Sequence, residues 1–122
     1  MKLRAIPHVV LALLALEATP VVWAQAASGA FAQCVACHTI EKGAAHAVGP
    51  NLNGVFGSPV AGAAGYVYSK SLRKLGGVWT EETLHRWLEA PQAYAPGTKM
   101  AFAGLKDPAA RQEVIDALKG LH

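Results

Sequence analysis

Two thiols and an imidazole fall within five consecutive residues of this 122-residue chain, Cys34-Val35-Ala36-Cys37-His38, and the chain has no other cysteine. Thiols at that spacing near a helix end can do three things. They can cycle as a redox dithiol, supply half of a zinc site, or each add to a vinyl group of a porphyrin. In the third case the neighbouring imidazole is held beneath the ring with a nitrogen for iron. A redox dithiol expects a strand–helix–strand setting, and no stretch here alternates apolar and polar residues as strands do. A zinc site needs four ligands, and past His38 only His46, His85 and His122 remain, with no second Cys-x-x-Cys. Covalent haem attachment is the reading that survives. His38 would then leave one iron position to fill. Apart from Met1 the chain has one methionine, Met100, in Pro96-Gly97-Thr98-Lys99-Met100. A thioether is a soft, neutral ligand that favours reduced iron and raises the potential. A site filled from both sides offers substrate no open position, which points to electron transfer rather than oxygen chemistry.

The elements that must position these residues are few. Charged residues make 16% of the chain and hydrophobic ones 52%, with 11 Lys+Arg against 8 Asp+Glu and a formal net charge of +3. That balance excludes a disordered tail and a nucleic-acid-coating arm. No apolar run approaches the ~18–20 residues of a membrane-spanning helix. Residues 1–24 read as a secretory signal: Lys2 and Arg4, then the apolar run from Val9 to Leu16, then Pro20 and small-residue cleavage sites after Ala24 or Ala26. Residues 25–122 form one domain; without Lys2, Arg4 and Glu17 the chain keeps nine basic and seven acidic side chains. Such a domain is short enough that its own core is marginal, so something else is expected to supply apolar mass.

Within that domain the pattern predicts helices over 28–37, 68–75 and 80–90, and a last one opening at Asp107-Pro108. Thr80 suits an N-cap, Glu81 and Glu82 complement the helix dipole, and Leu84, Trp87 and Leu88 share a face that Pro91 ends. The last helix presents Val114, Ile115, Leu118 and Leu121 and stops near Gly120. Residues 39–67 lose all periodicity and hold six glycines with Pro50 and Pro59. So long an irregular stretch is expected to wrap around something. The fold class is all-α with long loops.

The ordered set of motifs resembles the class I c-type cytochromes over nearly all of residues 25–122. It comprises Cys34-Val35-Ala36-Cys37-His38-Thr39, Gly49-Pro50-Asn51-Leu52-Asn53-Gly54-Val55-Phe56-Gly57 and Tyr66-Val67-Tyr68-Ser69. It continues with Trp79, Glu81-Glu82-Thr83-Leu84 and the run from Pro96 to Gly104. The resemblance implies a cytochrome c fold, with crossing N- and C-terminal helices and loops wrapped around one haem c bound through Cys34 and Cys37. It implies His38 and Met100 as axial ligands, and the Pro50 carbonyl against the other ring nitrogen of His38. It implies that Tyr68 and Trp79 donate to a haem propionate, that Thr98 sits beside that propionate and Met100, and that Phe102 shields the haem edge. The blander role for Trp79 and Tyr68 is that of core aromatics. Departures stand out. Ser58 replaces a frequent arginine, Leu72 a frequent asparagine and Trp87 a frequent tyrosine, while Ala117 replaces an aromatic on the last helix. Leu72 and Trp87 imply a drier Met100 side.

The function so implied is a soluble, monomeric periplasmic electron carrier without catalytic residues, exchanging electrons with redox proteins such as a membrane oxidase or reductase complex or a dehydrogenase. It has no nucleic-acid partner and no integral membrane segment in the mature chain. Lys99 and Lys106 match the lysine ring that relatives use for docking, whereas Gln33, Gln92 and Ala93 stand where lysines are frequent. The alternative is a haem peroxidase or gas-binding sensor whose methionine ligation is labile.

Overall fold

The structure is a computed structural model that describes residues 29–122; the expected signal segment 1–24 and the cleavage sites lie outside the described residues. A 3₁₀ helix (Gly29–Ala36) is followed by α1 (Lys70–Leu75), α2 (Glu81–Glu89), the single turn α3 (Pro91–Tyr94) and α4 (Pro108–Lys119). Among the described residues the only β pairing is an isolated bridge between Pro59 and Val78. The all-α reading therefore agrees with the structure, and the family comparison below supports the same fold.

Local chemistry explains the helix ends. At the start of α2 the Thr83 N–H donates to Thr80 Oγ1 at 3.2 Å, and the Thr80 N–H donates back to Thr83 Oγ1 at 2.8 Å. This reciprocal cap satisfies two donors that the first turn would leave unpaired. Asp107 caps α4 by accepting from the Ala109 N–H at 3.0 Å, with Pro108 at the first helical position. Sequence had ended the third helix at Pro91. The chain instead becomes extended at Ala90 and winds one further turn, because proline is well suited to open a helix.

The first helix differs in kind. An α-helix over 28–37 was expected, and the segment is wound as a 3₁₀ helix over Gly29–Ala36. Gly29, at φ +64°, turns the chain into it, and Glu113 of α4 accepts the Ala30 N–H at 3.0 Å. At its far end the Cys34 carbonyl accepts from both the Cys37 N–H (3.1 Å) and the His38 N–H (3.0 Å). This shared acceptor tightens the last turn and swings His38 back toward the centre of the molecule.

The 3₁₀ helix and α2 both pack on α4. Phe31, Leu84, Trp87, Leu88, Val114, Ile115 and Leu118 meet there, with Leu72 and Trp79 closing the cluster. Arg111, also buried, donates Nη1 to the carbonyls of Leu105 (2.7 Å) and Lys106 (3.1 Å), and Nε to His85 Nδ1 (3.3 Å). It thereby ties the segment after Met100 to the last helix. Arg111→Met is expected to lower unfolding stability by about 2–3 kcal/mol, since two carbonyls lose a charged donor. Denaturant unfolding of the intact protein measures this.

Residues 39–67 contain no helix or strand and are fixed by bonds to the rest of the chain. Gly54 N–H donates to the Leu121 carbonyl (2.7 Å), Gly57 N–H to Trp79 (2.7 Å) and Val60 N–H to Gly77 (3.0 Å). Within the stretch, the Asn51 amide donates to the carbonyls of Glu41 (2.7 Å) and Ala44 (3.0 Å). His46 accepts the Asn51 N–H at Nδ1 (3.0 Å) and donates from Nε2 to Ala64 (2.8 Å).

Candidate functional site

A cleft runs between the irregular stretch and the helices, in two lobes of about 200 and 250 Å³. Cys34, His38, Tyr68, Leu72, Trp87 and Met100 line both lobes. The inner lobe is closed by Phe31, Trp79, Leu84, Leu88, Val114 and Leu118, which are also members of the core. The outer lobe is bordered by Cys37, Gly49, Tyr66, Thr98, Lys99 and Phe102. Each of the nine residues singled out from the sequence lines one lobe or both: Pro50 and Trp79 the inner, Cys37, Thr98 and Phe102 the outer, the others both.

His38 is held from two sides. Its Nδ1–H donates to the Pro50 carbonyl at 2.6 Å, which leaves Nε2 as the lone-pair nitrogen. Burial holds the imidazole below its usual pKa, and the Pro50 bond opposes that shift. The ring lies directly against Gly49, where an added Cβ would fall 2.7 Å from Nδ1 and 2.8 Å from Nε2. The Gly49 N–H is itself fixed to the Cys37 carbonyl at 2.8 Å, so the backbone cannot retreat easily. Gly49→Ala is therefore expected to cost about 1–3 kcal/mol of stability by overpacking and to displace the imidazole. Thermal unfolding together with the chemical shifts of the His38 ring reads both effects.

The two cysteines are not joined in a disulfide. Cys37 is exposed, while burial pushes the Cys34 thiol up to about 11, so before any covalent attachment Cys34 is a neutral S–H at neutral pH.

Met100 is carried by a loop that turns at Gly97, with φ +81°. Thr98 is buried, and its Oγ1 accepts the Met100 N–H at 3.5 Å. Gln92 donates its amide to the carbonyls of Thr98 (3.1 Å) and Met100 (3.3 Å), bracing the loop from α3. The Lys99 ammonium is fixed to the Val67 carbonyl at 2.7 Å. Tyr68 Oη accepts the Ala63 N–H at 3.1 Å and keeps its own proton available to donate; burial raises its pKa. Trp79 is only 6% exposed and packs against Trp87 at 5.6 Å between ring centroids.

These features fit an extended apolar group with a polar margin. The lining is largely carbon, one imidazole presents a bare nitrogen, one thioether is nearby, and two thiols sit at the rim. Two supporting roles escaped the sequence: Gly49, quoted only within a motif, as the surface against the imidazole, and Gln92, noted only where lysine is frequent, as the brace of the methionine loop. Nothing local marks either, since a glycine beside a proline and a glutamine on a short helix are ordinary.

No family model matches the chain. Among curated proteins it is similar to several named cytochrome c. That of Sesamum indicum is 47% identical over 87 residues, covering 71% of this chain and 78% of the relative. That of Ulva intestinalis is 48% identical over 88 residues, 72% and 79% of the two chains. That of Kluyveromyces lactis is 47% identical over 83 residues, 68% and 76%.

Proposed function

Since the chain belongs to the cytochrome c family, class I, we propose that it is a periplasmic one-electron carrier with His38 and Met100 as the axial ligands of one haem c. The haem is covalent, through Cys34 and Cys37. The protein is a haem-based electron carrier that works with redox partners. When bound, the haem supplies the iron that gains and loses a single electron. The protein's own residues do the rest. Cys34 and Cys37 each give up an S–H across a carbon–carbon double bond, which leaves thioethers and needs no oxidant. His38 keeps its Nδ1 proton on Pro50 and offers Nε2. Met100 offers a sulfur that carries no proton. Neither ligand is asked to take up or release a proton, so the electron moves alone.

The observation that carries this reading is the convergence of Cys34, His38 and Met100 on the part of the cleft shared by both lobes, with Pro50 fixing the His38 tautomer. Tyr68, Trp79 and Thr98 are proposed to hold the propionates, because Tyr68 accepts through its hydroxyl oxygen and keeps the proton to donate, Trp79 brings an indole N–H to the wall of the inner lobe, and Thr98 is the buried hydroxyl of the methionine loop. Phe102 covers the outer edge. The periplasmic destination is supported by the basic, apolar and small-residue order of residues 1–24. Among the described residues no helix is long and apolar enough to cross a membrane.

The test is a pyridine haemochrome spectrum of the purified protein followed by a spectroelectrochemical titration. The expected result is the signature of two thioether links and one reversible one-electron wave whose midpoint is flat around neutral pH. Ready carbon monoxide binding by the ferrous wild type would overturn the carrier reading in favour of a peroxidase or sensor.

A further inference from the structure

His85 lines neither lobe of the cleft, yet its neighbours fix which of its ring nitrogens carries the proton. It is half-buried on α2, against α4. The Gln112 amide nitrogen donates to two carboxylates, Glu81 Oε1 and Asp116 Oδ1, each at 3.0 Å. The Gln112 oxygen therefore faces His85, 3.0 Å from Nε2, and there it can only accept. So Nε2 holds the proton and Nδ1 is bare, as Arg111 Nε requires of its acceptor at 3.3 Å. Arg111 spends Nη1 on the carbonyls of Leu105 and Lys106. His85 thus anchors the far side of this buried guanidinium and, through it, the chain that follows Met100. The same chain is docked on α2, where the Leu105 N–H donates to the Leu88 carbonyl at 2.8 Å.

One proton reverses this arrangement. An imidazolium has two N–H groups and no free lone pair, so Nδ1–H would meet Arg111 Nε–H head on, with two positive charges in contact. The other charges nearby do not remove the conflict. α2 itself carries Glu81, Glu82, Arg86 and Glu89; α4 carries Glu113, Asp116 and Lys119 besides Arg111; α3 and the 3₁₀ helix carry none. Glu81 is held by Lys119 at 2.6 Å and by Gln112, Glu113 accepts the Ala30 N–H, and Arg86 lies over the Tyr94 ring. The Lys106 ammonium is fixed to the Glu89 carbonyl. Glu82, Glu89 and Asp116 are exposed, where water and salt screen them, whereas Arg111 is buried. We propose that His85 is a positioning residue with a pH limit: neutral, it holds Arg111 on the carbonyls of Leu105 and Lys106, and protonated, it frees Arg111 and loosens the segment that follows Met100. The step is a proton passing from solvent to Nδ1, with no other bond made or broken. Because the folded chain disfavours the imidazolium, unfolding takes up a proton, so this contribution to stability is present at neutral pH and lost in acid. That the loosened segment carries an iron ligand rests on the carrier reading above; the latch on Arg111 does not.

The experiment is denaturant unfolding and amide hydrogen exchange of the holoprotein between about pH 7 and pH 5, the range in which imidazoles change charge. It compares the wild type with His85→Gln and His85→Arg. A glutamine can accept from Arg111 and donate to Gln112 without titrating. Relative to His85→Gln, the wild-type unfolding constant is expected to rise about tenfold across this range, since one imidazole gains its proton only on unfolding. The protection factor of the Leu105 N–H is expected to fall about tenfold in the wild type and to hold in His85→Gln. His85→Arg, a permanent cation, is expected to show at neutral pH the Leu105 protection that the wild type has in acid. Parallel pH profiles for the wild type and His85→Gln, in either measurement, overturn the proposal. The near-infrared sulfur-to-iron band keeps two failures apart. Its absence at every pH defeats Met100 ligation while the unfolding comparison still decides the latch. Its presence together with parallel profiles defeats the latch alone.

Discussion

Met100→Ala is expected to erase the weak near-infrared sulfur-to-iron band of the oxidised protein and to lower the midpoint potential by on the order of 0.1 V or more. Axial ligands tune haem potentials over about 0.8 V, and loss of a thioether removes the ligand that favours the reduced state. The variant is also expected to bind carbon monoxide and cyanide, which the wild type is expected to resist. The argument is one of exclusion. Apart from Met1 no other methionine exists in the chain, and the sulfurs of Cys34 and Cys37 are spent on the haem vinyl carbons. His46 spends both ring nitrogens inside the irregular stretch, on the Asn51 N–H and the Ala64 carbonyl. His85 spends both on Arg111 and Gln112. Neither can move to the iron without dismantling its own surroundings. Absorption spectra, a potentiometric titration and gas binding check the three effects. A retained band would mean that a sulfur other than that of Met100 binds, and would remove Met100 from the ligand set.

The double replacement Cys34→Ala with Cys37→Ala is expected to do more than release a cofactor. Phe31, Trp79, Leu84, Leu88, Val114 and Leu118 are the packed core and at the same time the wall of the inner lobe. The core therefore has a face with nothing of the protein's own on it. An unfilled volume of about 200 Å³ corresponds to up to about 5 kcal/mol at roughly 24 cal/mol per Å³ of cavity. That is comparable to the whole stability of a small domain, about 5–15 kcal/mol. The variant is expected to lose most of its helical circular dichroism and to be cut rapidly by protease. A far-UV spectrum matching the wild type would show that the helices hold the cleft open unaided.

What could be read from the sequence was what is local. The Thr80 and Asp107 caps, the Leu84/Trp87/Leu88 stripe and the stop at Gly120 each depend on residues within a turn or two of one another, and each appears where its pattern lies. The Cys-x-x-Cys-His segment and the methionine loop were legible because their residue types are rare in this chain and their spacing is chemically restrictive. The 3₁₀ winding of the first segment was not legible. Helical propensity does not separate the two windings, and here a long-range contact from Glu113 sets the start. Arg111 was equally silent: an arginine on an amphipathic helix reads as surface until the chain closes over it with the carbonyls of Leu105 and Lys106. The course of residues 39–67 follows from bonds to residues as distant as Leu121, which no local pattern encodes.

The clamp on His38 has a kinetic consequence. With the Pro50 carbonyl at 2.6 Å on one ring nitrogen and the Gly49 backbone against the ring, the imidazole is held in one tautomer and walled on one side. As the proposed ligand, an imidazole oriented in this way would contribute less to the reorganisation energy of electron transfer, because its dipole is set before the electron arrives. The carrier would then exchange electrons quickly with partners of nearly equal potential. A glycine with no side chain and a carbonyl with no charge thus set how small a driving force the protein can work on.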